Sequence, residues 1–217
     1  MESSWLTHAK RLQAIASTGL HFCRDVHDRE RYQEVAEIAH DMLAQLGNVP
    51  LERINELVSD FAQRYSTPMV EVRGALIEDG KILLVREQHD GLWALPGGYA
   101  DVGLSAAQNI IKEIREEAGL QVSVRQLYGL RHKAKGPYKP DHRDFYKLYF
   151  LCERQDAEAP MAGSETSDAA FFAPDQLPPL SQGRTVERDI QEPSTSTKAG
   201  AAWPSSTERD GADVKHT

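Results

Sequence analysis

Residues 95–120, LPGGYADVGLSAAQNIIKEIREEAGL, constrain this chain more than any other stretch. They predict a helix over residues 105–118. Ser105 can accept the free amides of the first turn while Gln108 reaches back, forming a capping box, and Gly119 is the usual residue just past a helix end. Ala107, Ile110, Ile111, Ile114 and Ala118 mark the inward face. The outward face then carries Glu113, Glu116 and Glu117 at three- and four-residue steps. Like charges so placed repel by about 0.2–0.5 kcal/mol per pair, and a helix C-terminus is the wrong end for anions. A hard divalent cation would offset both costs, because Mg²⁺ binds carboxylate, water and phosphate oxygens. Gly97 and Gly98 come just before the helix, where missing side chains let a backbone carbonyl approach a metal or phosphate. For the three glutamates taken alone, a solvated acidic helix end is the competing reading.

The flanking segments predict a β-rich body. MVEVRGALIEDGKILLVREQ alternates around Asp79-Gly80, a tight-turn pair, and reads as two strands. QVSVRQLYGLRH and DFYKLYFLCE read as two more. Strands with an inserted helix imply a mixed α/β or α+β domain over residues 67–191. Ahead of it, residues 1–66 carry three amphipathic stripes. The first is Leu6, Ala9, Leu12, Ile15 and Ala16. The second is Tyr32, Val35, Ile38 or Ala39, and Met42 or Leu43, with Asp28 as cap and Gly47 as stop. The third is Leu51, Ile54, Leu57 or Val58, and Phe61, behind Pro50. They predict a small all-helical N-terminal domain that buries its stripes within itself, on the body or on a second copy. A homodimer through these helices is the expectation. His8, His21, His27 and His40 share no ligand spacing and read as solvated or capping. From Glu192 onward the chain is rich in Ser, Thr, Ala and Gly without periodicity, which predicts a disordered tail over 192–217 that activity does not need.

The segment 95–120 resembles the Nudix box, G-x5-E-x7-R-E-U-x-E-E-x-G-U with U aliphatic. Gly98, Glu113, Ile114, Glu116, Glu117, Gly119 and Leu120 match it. Two positions depart: Leu104 stands where the pattern has its first glutamate, and Lys112 where it has arginine, keeping the charge but not the bidentate fork. LPGGYADVG, KEIREE and FFAPDQLPPLS (residues 171–181) also resemble, in that order, a subgroup with a helical N-terminal domain, described as CDP-choline or ADP-ribose pyrophosphatases. The resemblance implies a Nudix fold, with a mixed sheet between helices. It implies hydrolysis of a nucleoside diphosphate derivative with Mg²⁺, or Mn²⁺ in its place. Glu116, Glu117 and the Gly97 carbonyl would hold the metal, Glu113 would be a ligand or the base, and Glu165 would be a second ligand or base.

Three further readings complete the picture. Residues 131–147 hold Arg131, Lys133, Lys135, Lys139, Arg143 and Lys147 against Asp141 and Asp144. This predicts a substrate-binding loop in which Arg131 and Lys133 meet phosphate and Tyr138 and Phe145 can stack on a base, with an ordinary charged hairpin as the competing reading. Arg73 and Arg86, on the first two strands, are further phosphate candidates. The net charge of -8 argues against nucleic acid as a partner. Two distant cysteines, no apolar run of membrane length and no signal-like start suggest a cytoplasmic protein. Two alternatives remain open at this stage: a Nudix-like nucleotide sensor without catalysis, which Leu104 favours, and a hydrolase of RNA ends, which the basic loop allows.

Overall fold

The computed structural model describes residues 3–47 and 66–196. The third expected N-terminal stripe, Leu51–Phe61, lies outside the described residues, as does the expected tail beyond residue 196. Helix α1 (Ser4–Phe22) and helix α2 (Val26–Gly47) pack as a pair. Leu6, Ala9, Ala16 and Leu20 of α1 are buried, as are Ala36, Ala39 and Leu43 of α2. Expectation and structure differ at two points here. Leu12 and Ile15 lie exposed on the flank of α1, and the buried line instead runs through Gln13 and Ser17, whose side chains satisfy each other at 2.8 Å. Asp25, not Asp28, caps α2: its carboxylate accepts the amides of His27 and Asp28 at 2.9 and 3.1 Å. Asp28 falls in the first turn and pairs with Arg31.

The body is a six-stranded mixed sheet of order β3-β2-β1-β5-β4, with β6 also on β2. β1 (Met69–Glu78) and β2 (Lys81–Glu87) form the expected hairpin around Asp79-Gly80. β3 (Trp93–Ala94) is short; β4 (Val122–His132) and β5 (Phe145–Arg154) are the other two expected strands. β6 (Thr166–Phe172) was not expected, because its polar start TSD hides the alternation. β5 lies parallel to β1 from Met69↔Phe145 to Leu76↔Cys152. The hairpin separates soon after its turn, with paired registers only at Ile77↔Ile82 and Glu78↔Lys81. β2 then turns to β3 and β6, which leaves an edge of β1 open for another segment.

Helix α3 (Ala106–Ala118) has the capping box predicted at Ser105 and Gln108, and Gly119 closes it with a left-handed φ of 71°. Its Ile110 and Ile114 pack with Val72, Leu76, Leu83 and Val85 on one face of the sheet. Fully burying a side chain of that size is worth about 1.5–3 kcal/mol. Helix α4 (Glu187–Ser196) covers the opposite face, where Ile190 packs with Ala75, Ile82, Leu84 and Tyr149. The sheet therefore lies between helices. Both cysteines are free, and burial pushes the Cys152 thiol up to about 12, so it packs as an apolar residue. Among the described residues no helix is long and apolar enough to cross a membrane.

The expected tail boundary at Glu192 falls inside α4. Glu192 pairs with Arg131 and Arg188. Three residues earlier, Asp189 is fully buried and accepts from Arg131 at 2.5 Å, Tyr138 at 2.8 Å, Tyr149 at 3.1 Å and the Val186 amide at 3.0 Å. A buried carboxylate is tolerated only with such donors. Asp189→Ala should cost about 3–5 kcal/mol of unfolding free energy, because it removes the buried acceptor shared by Arg131, Tyr138 and Tyr149 and leaves Arg131 with Glu192 alone. A chain ending at Gln191 should melt below the full chain. Urea denaturation and thermal melts check both; unchanged midpoints would remove Asp189 and Glu192 from the packing of α4.

Candidate active site

The open edge of β1 takes up the glycine segment. The Val72 amide donates to the Gly98 carbonyl and the Gly74 amide to the Pro96 carbonyl, each at 2.9 Å, and the Ala100 amide donates to the Val70 carbonyl at 3.0 Å. Gly97, between these rungs, has a φ of 139°. A Cβ on it would lie 2.1 Å from the Val72 carbonyl oxygen, so no side chain fits. Its amide donates to the Glu117 carboxylate at 2.7 Å. Among the described hydrogen bonds none uses its carbonyl, which leaves that oxygen available to a cation.

This segment, α3, residues 164–165 just before β6 and residues 133–145 enclose a cleft of about 550 Å³. It gathers Gly97, Glu113, Glu116, Glu117, Glu165, Arg73 and Lys133 of the residues expected from sequence. The three helix acids do not all face outward as expected. Glu116 is exposed and pairs with Lys112 at 3.2 Å, whereas Glu117 is only 6 % exposed under the glycine segment. Burial, reinforced by Glu113 and Glu87, pushes the Glu117 carboxyl up to about 8 despite Arg73 and the Gly97 amide. Burial also raises Glu113, with Glu116 and Glu165 adding to it. Glu165 is exposed, immediately before β6, and lies in the cleft wall.

Arg73 is buried beside these acids and anchored twice: its guanidinium donates to Glu71 at 2.6 Å and to the Leu95 carbonyl at 2.8 Å. Lys147 joins Glu71 from β5 at 2.8 Å. Burial alone would raise the Glu71 carboxyl, but Arg73 and Lys147 outweigh it and hold it at about 2. Lys133 reaches the cleft with its ammonium on Asp141 at 2.9 Å and over the Phe145 ring.

Three expected substrate contacts lie elsewhere. Arg86 is exposed and donates to the Gly91 carbonyl at 2.9 Å. Strand alternation sends it to the face opposite its neighbour Glu87, which does line the cleft. Arg131 and Tyr138 are both taken by Asp189, whose buried carboxylate needs donors more than the cleft does. The basic character of residues 131–147 is thus divided between the α4 anchor and the cleft.

The cleft also holds residues the sequence did not single out. Arg143 donates to the Tyr99 hydroxyl at 2.6 Å, and Tyr99 stacks on Phe145 with centroids 5.8 Å apart. On another wall Arg184 pairs with Glu87 at 2.9 Å, next to His89. Asp101 meets Lys112 at 2.9 Å, which gives that lysine two single carboxylate partners where an arginine would have used its fork. Buried Asn109 holds the loop by accepting the Asp101 amide at 2.8 Å and donating to the Ser105 carbonyl at 3.1 Å. Arg143 was legible as part of a basic run; Arg184 and Asn109 carried no local signal.

Eight carboxylates and five Lys or Arg side chains line the cleft. Among the described residues no group of three or more His, Cys, Asp and Glu side chains forms a ready-made metal cage. Carboxylates arranged in this open way fit Mg²⁺, which is bound by one or two carboxylates and completes its shell with water and phosphate oxygens.

Comparison with known proteins gives the family of the chain. Residues 3–58 match the family "UDP-X-like, N-terminal oligomerisation domain". A curated Bacillus subtilis (strain 168) protein named "Putative ADP-ribose pyrophosphatase YjhB" is 41 % identical over 190 residues, 88 % of this chain and 90 % of its own. An ADP-ribose pyrophosphatase of Methanocaldococcus jannaschii is 31 % identical over 119 residues, 54 % of this chain and 68 % of its own. A crystal structure of a UDP-X diphosphatase superposes with a TM-score of 0.58 at 35 % identity, covering 91 % of this chain and 96 % of that one. Residues 68–191, more than half of the chain, match the NUDIX domain, and the chain belongs to the Nudix hydrolase family.

Proposed function

We propose that the chain is a divalent-cation-dependent pyrophosphohydrolase. It cleaves the diphosphate of a nucleoside diphosphate joined to a second group and releases a nucleoside monophosphate. The observation that carries this reading is the charge of the cleft, eight carboxylates against five Lys or Arg side chains. A diphosphate adds more negative charge, and only a cation shared between protein acids and phosphate lets both occupy one site. The names of the relatives favour ADP-ribose or a UDP-linked compound as substrate; CDP-choline belongs in the same class.

Mg²⁺, or Mn²⁺ in its place, would supply phosphate alignment, charge neutralisation and a bound water of lowered pKa. Glu116, Glu117 and the Gly97 carbonyl would hold it. Arg73, anchored by Glu71, steadies the buried carboxylate of Glu117. Glu113, made more basic by burial, accepts the proton of the attacking water, with Glu165 as the second acid able to do so. Lys133, Arg143 and Arg184 meet the far phosphate and the second group, and the half-exposed Tyr99 ring offers a stacking face. Leu104 favours the rival reading of a sensor without catalysis. Against it, all three helix acids line the cleft, and Asp101 gives Lys112 a carboxylate partner.

Glu117→Gln should lower kcat by at least about a hundredfold, since even residues that merely orient ligands account for ~10–100-fold. Its amide oxygen can still accept the Gly97 amide, so the melting temperature should hold or rise. Release of monophosphate from ADP-ribose, UDP-glucose and CDP-choline is the assay; a variant that keeps wild-type kcat on its best substrate sinks the site assignment.

The acid–base consequence is equally direct. Between its ordinary value of 4.5 and about 8, Glu117 holds a proton in the folded chain that the unfolded chain has lost. Without a cation this group therefore lowers stability as pH rises through that window. A cation replaces the proton, so Mg²⁺ should raise the melting temperature more at about pH 8 than at about pH 6. Equal gains at both values would take Glu117 out of the cation site.

The N-terminal helices form the dimer interface in this reading. Trp5, Ile15, Phe22, Val26 and Ile38 are all at least half exposed, an apolar surface of the kind that marks association sites. Light scattering should give a dimer for the full chain and a monomer for Leu12→Asp/Ile15→Asp with its helix content intact. A monomeric wild type at micromolar concentration rules the interface out.

A further inference from the structure

A fully buried lysine, Lys147, stands where the alternation of β5 calls for an apolar side chain. Phe145, Lys147 and Tyr149 share the buried face of that strand, since every second residue points the same way. The parallel register sets Lys147 opposite Glu71 of β1. Its ammonium donates to the Glu71 carboxylate at 2.8 Å and to the Arg184 carbonyl at 2.7 Å, and lies 5.0 Å from the centre of the Tyr138 ring. Glu71 does not need this second cation. The Arg73 guanidinium already reaches the same carboxylate oxygen through two nitrogens, each at 2.6 Å. One acid and two cations therefore keep a surplus positive charge out of water, which is costly. Burial accordingly pushes the Lys147 ammonium down to about 8, against the pull of Glu71. Charge balance accounts for Arg73; what Lys147 adds is the bond to Arg184.

Arg184 belongs to a turn, residues 181–185, that several elements hold. The Ser181 amide donates to the Trp93 carbonyl at 2.8 Å and its hydroxyl to Asp90 at 2.9 Å, while the Thr185 hydroxyl accepts the Leu95 amide at 3.0 Å. These bonds fix the two ends of the turn beside β3, and Lys147 takes the carbonyl of the residue between them. From there the Arg184 side chain enters the cleft wall and pairs with Glu87 at 2.9 Å. A long arginine side chain loses rotamer freedom when it binds, and holding it in place beforehand reduces that loss. We propose that Lys147 is a positioning residue for substrate binding: it clamps the Arg184 turn onto the Glu71–Arg73 pair and so sets the Arg184 guanidinium in the cleft to receive the diphosphate. The same ammonium joins two parts of the cleft, Arg73 beside the acids of α3 and Arg184 on another wall. The ligand, a nucleoside diphosphate derivative, follows from the hydrolase reading above, on which this role rests.

The test has two arms on the full-length chain, with Lys147→Met, close in volume and neutral, and Lys147→Gln, too short to reach both Glu71 and Arg184. The first follows the arginine Nε–Hε resonances of isotope-labelled protein by NMR, with Arg184 and Arg154 each assigned by loss in its Ala variant. The Arg184 resonance should move in both Lys147 variants, while that of Arg154, at the far end of β5, stays in place. The second arm titrates the non-cleavable diphosphate α,β-methylene-ADP with Mg²⁺ by calorimetry. Lys147→Met and Arg184→Ala should each weaken binding at least about tenfold, one unit in log Kd. Together they should cost no more than about threefold beyond the larger single effect, because both remove the same interaction, whereas independent residues would multiply. An unmoved Arg184 resonance, an unchanged Kd or single effects that multiply each overturn the proposal. So does loss of the fold in both Lys147 variants, which would make Lys147 a residue of the core, or a wild type that does not bind the analogue. No turnover is measured, so an additive cycle in a wild type that binds the analogue rejects the role of Lys147 and leaves the hydrolase reading standing.

Discussion

The Glu117 carboxylate accepts the Gly97 amide at 2.7 Å while almost wholly buried, and this one hydrogen bond ties the acidic helix to the glycine segment. It requires Gly97 to lie against the backbone of β1, closer than any side chain permits. That approach requires β1 to have an open edge, which the early separation of the β1–β2 hairpin provides. The bond does not by itself stabilise a charge so deeply placed: burial pushes the carboxyl up to about 8. The arrangement is poised for an extra positive charge, as the divalent-cation site proposed above requires.

Two other buried acids solve the same problem differently. Glu71 has Arg73 and Lys147 beside it and stays ionised. Asp189 has Arg131, Tyr138, Tyr149 and a backbone amide. Buried pairs of this kind are a weak source of net stability but are costly to break. Here Glu71 sets the position of Arg73 under the cleft, and Asp189 sets that of α4 on the sheet. The contrast with Glu117 separates structure from function. The two structural carboxylates are held in ion pairs within the chain, whereas for Glu117 burial outweighs the nearby Arg73.

Much of this was legible because it is local. The capping box, the left-handed Gly119, the Asp79-Gly80 turn and four strands each depend on residues a few positions apart. The acidic face of α3 is equally a matter of spacing. What misled was also local. Arg131 and Tyr138 sit in a basic, aromatic run that reads as a substrate loop, yet their partner is Asp189, 58 and 51 residues away. Arg86 has the composition of a phosphate ligand and the wrong strand parity. Leu12 and Ile15 fit a helical stripe whose buried line runs one position further round.

The amino-acid sequence by itself therefore determined four of the six strands, helix α3, two of the three expected N-terminal helices, the Nudix box and four of the acids that line the cleft. Short-range hydrogen bonds and periodic burial set these, and both can be read along the chain. Only the tertiary structure decided which charges are spent and which remain available. Glu87, Asp101, Arg143 and Arg184 enter the cleft from separate elements, whereas Arg131 leaves it for α4. The cost of burying a charge depends on what the fold places beside it, and sequence spacing does not encode those neighbours.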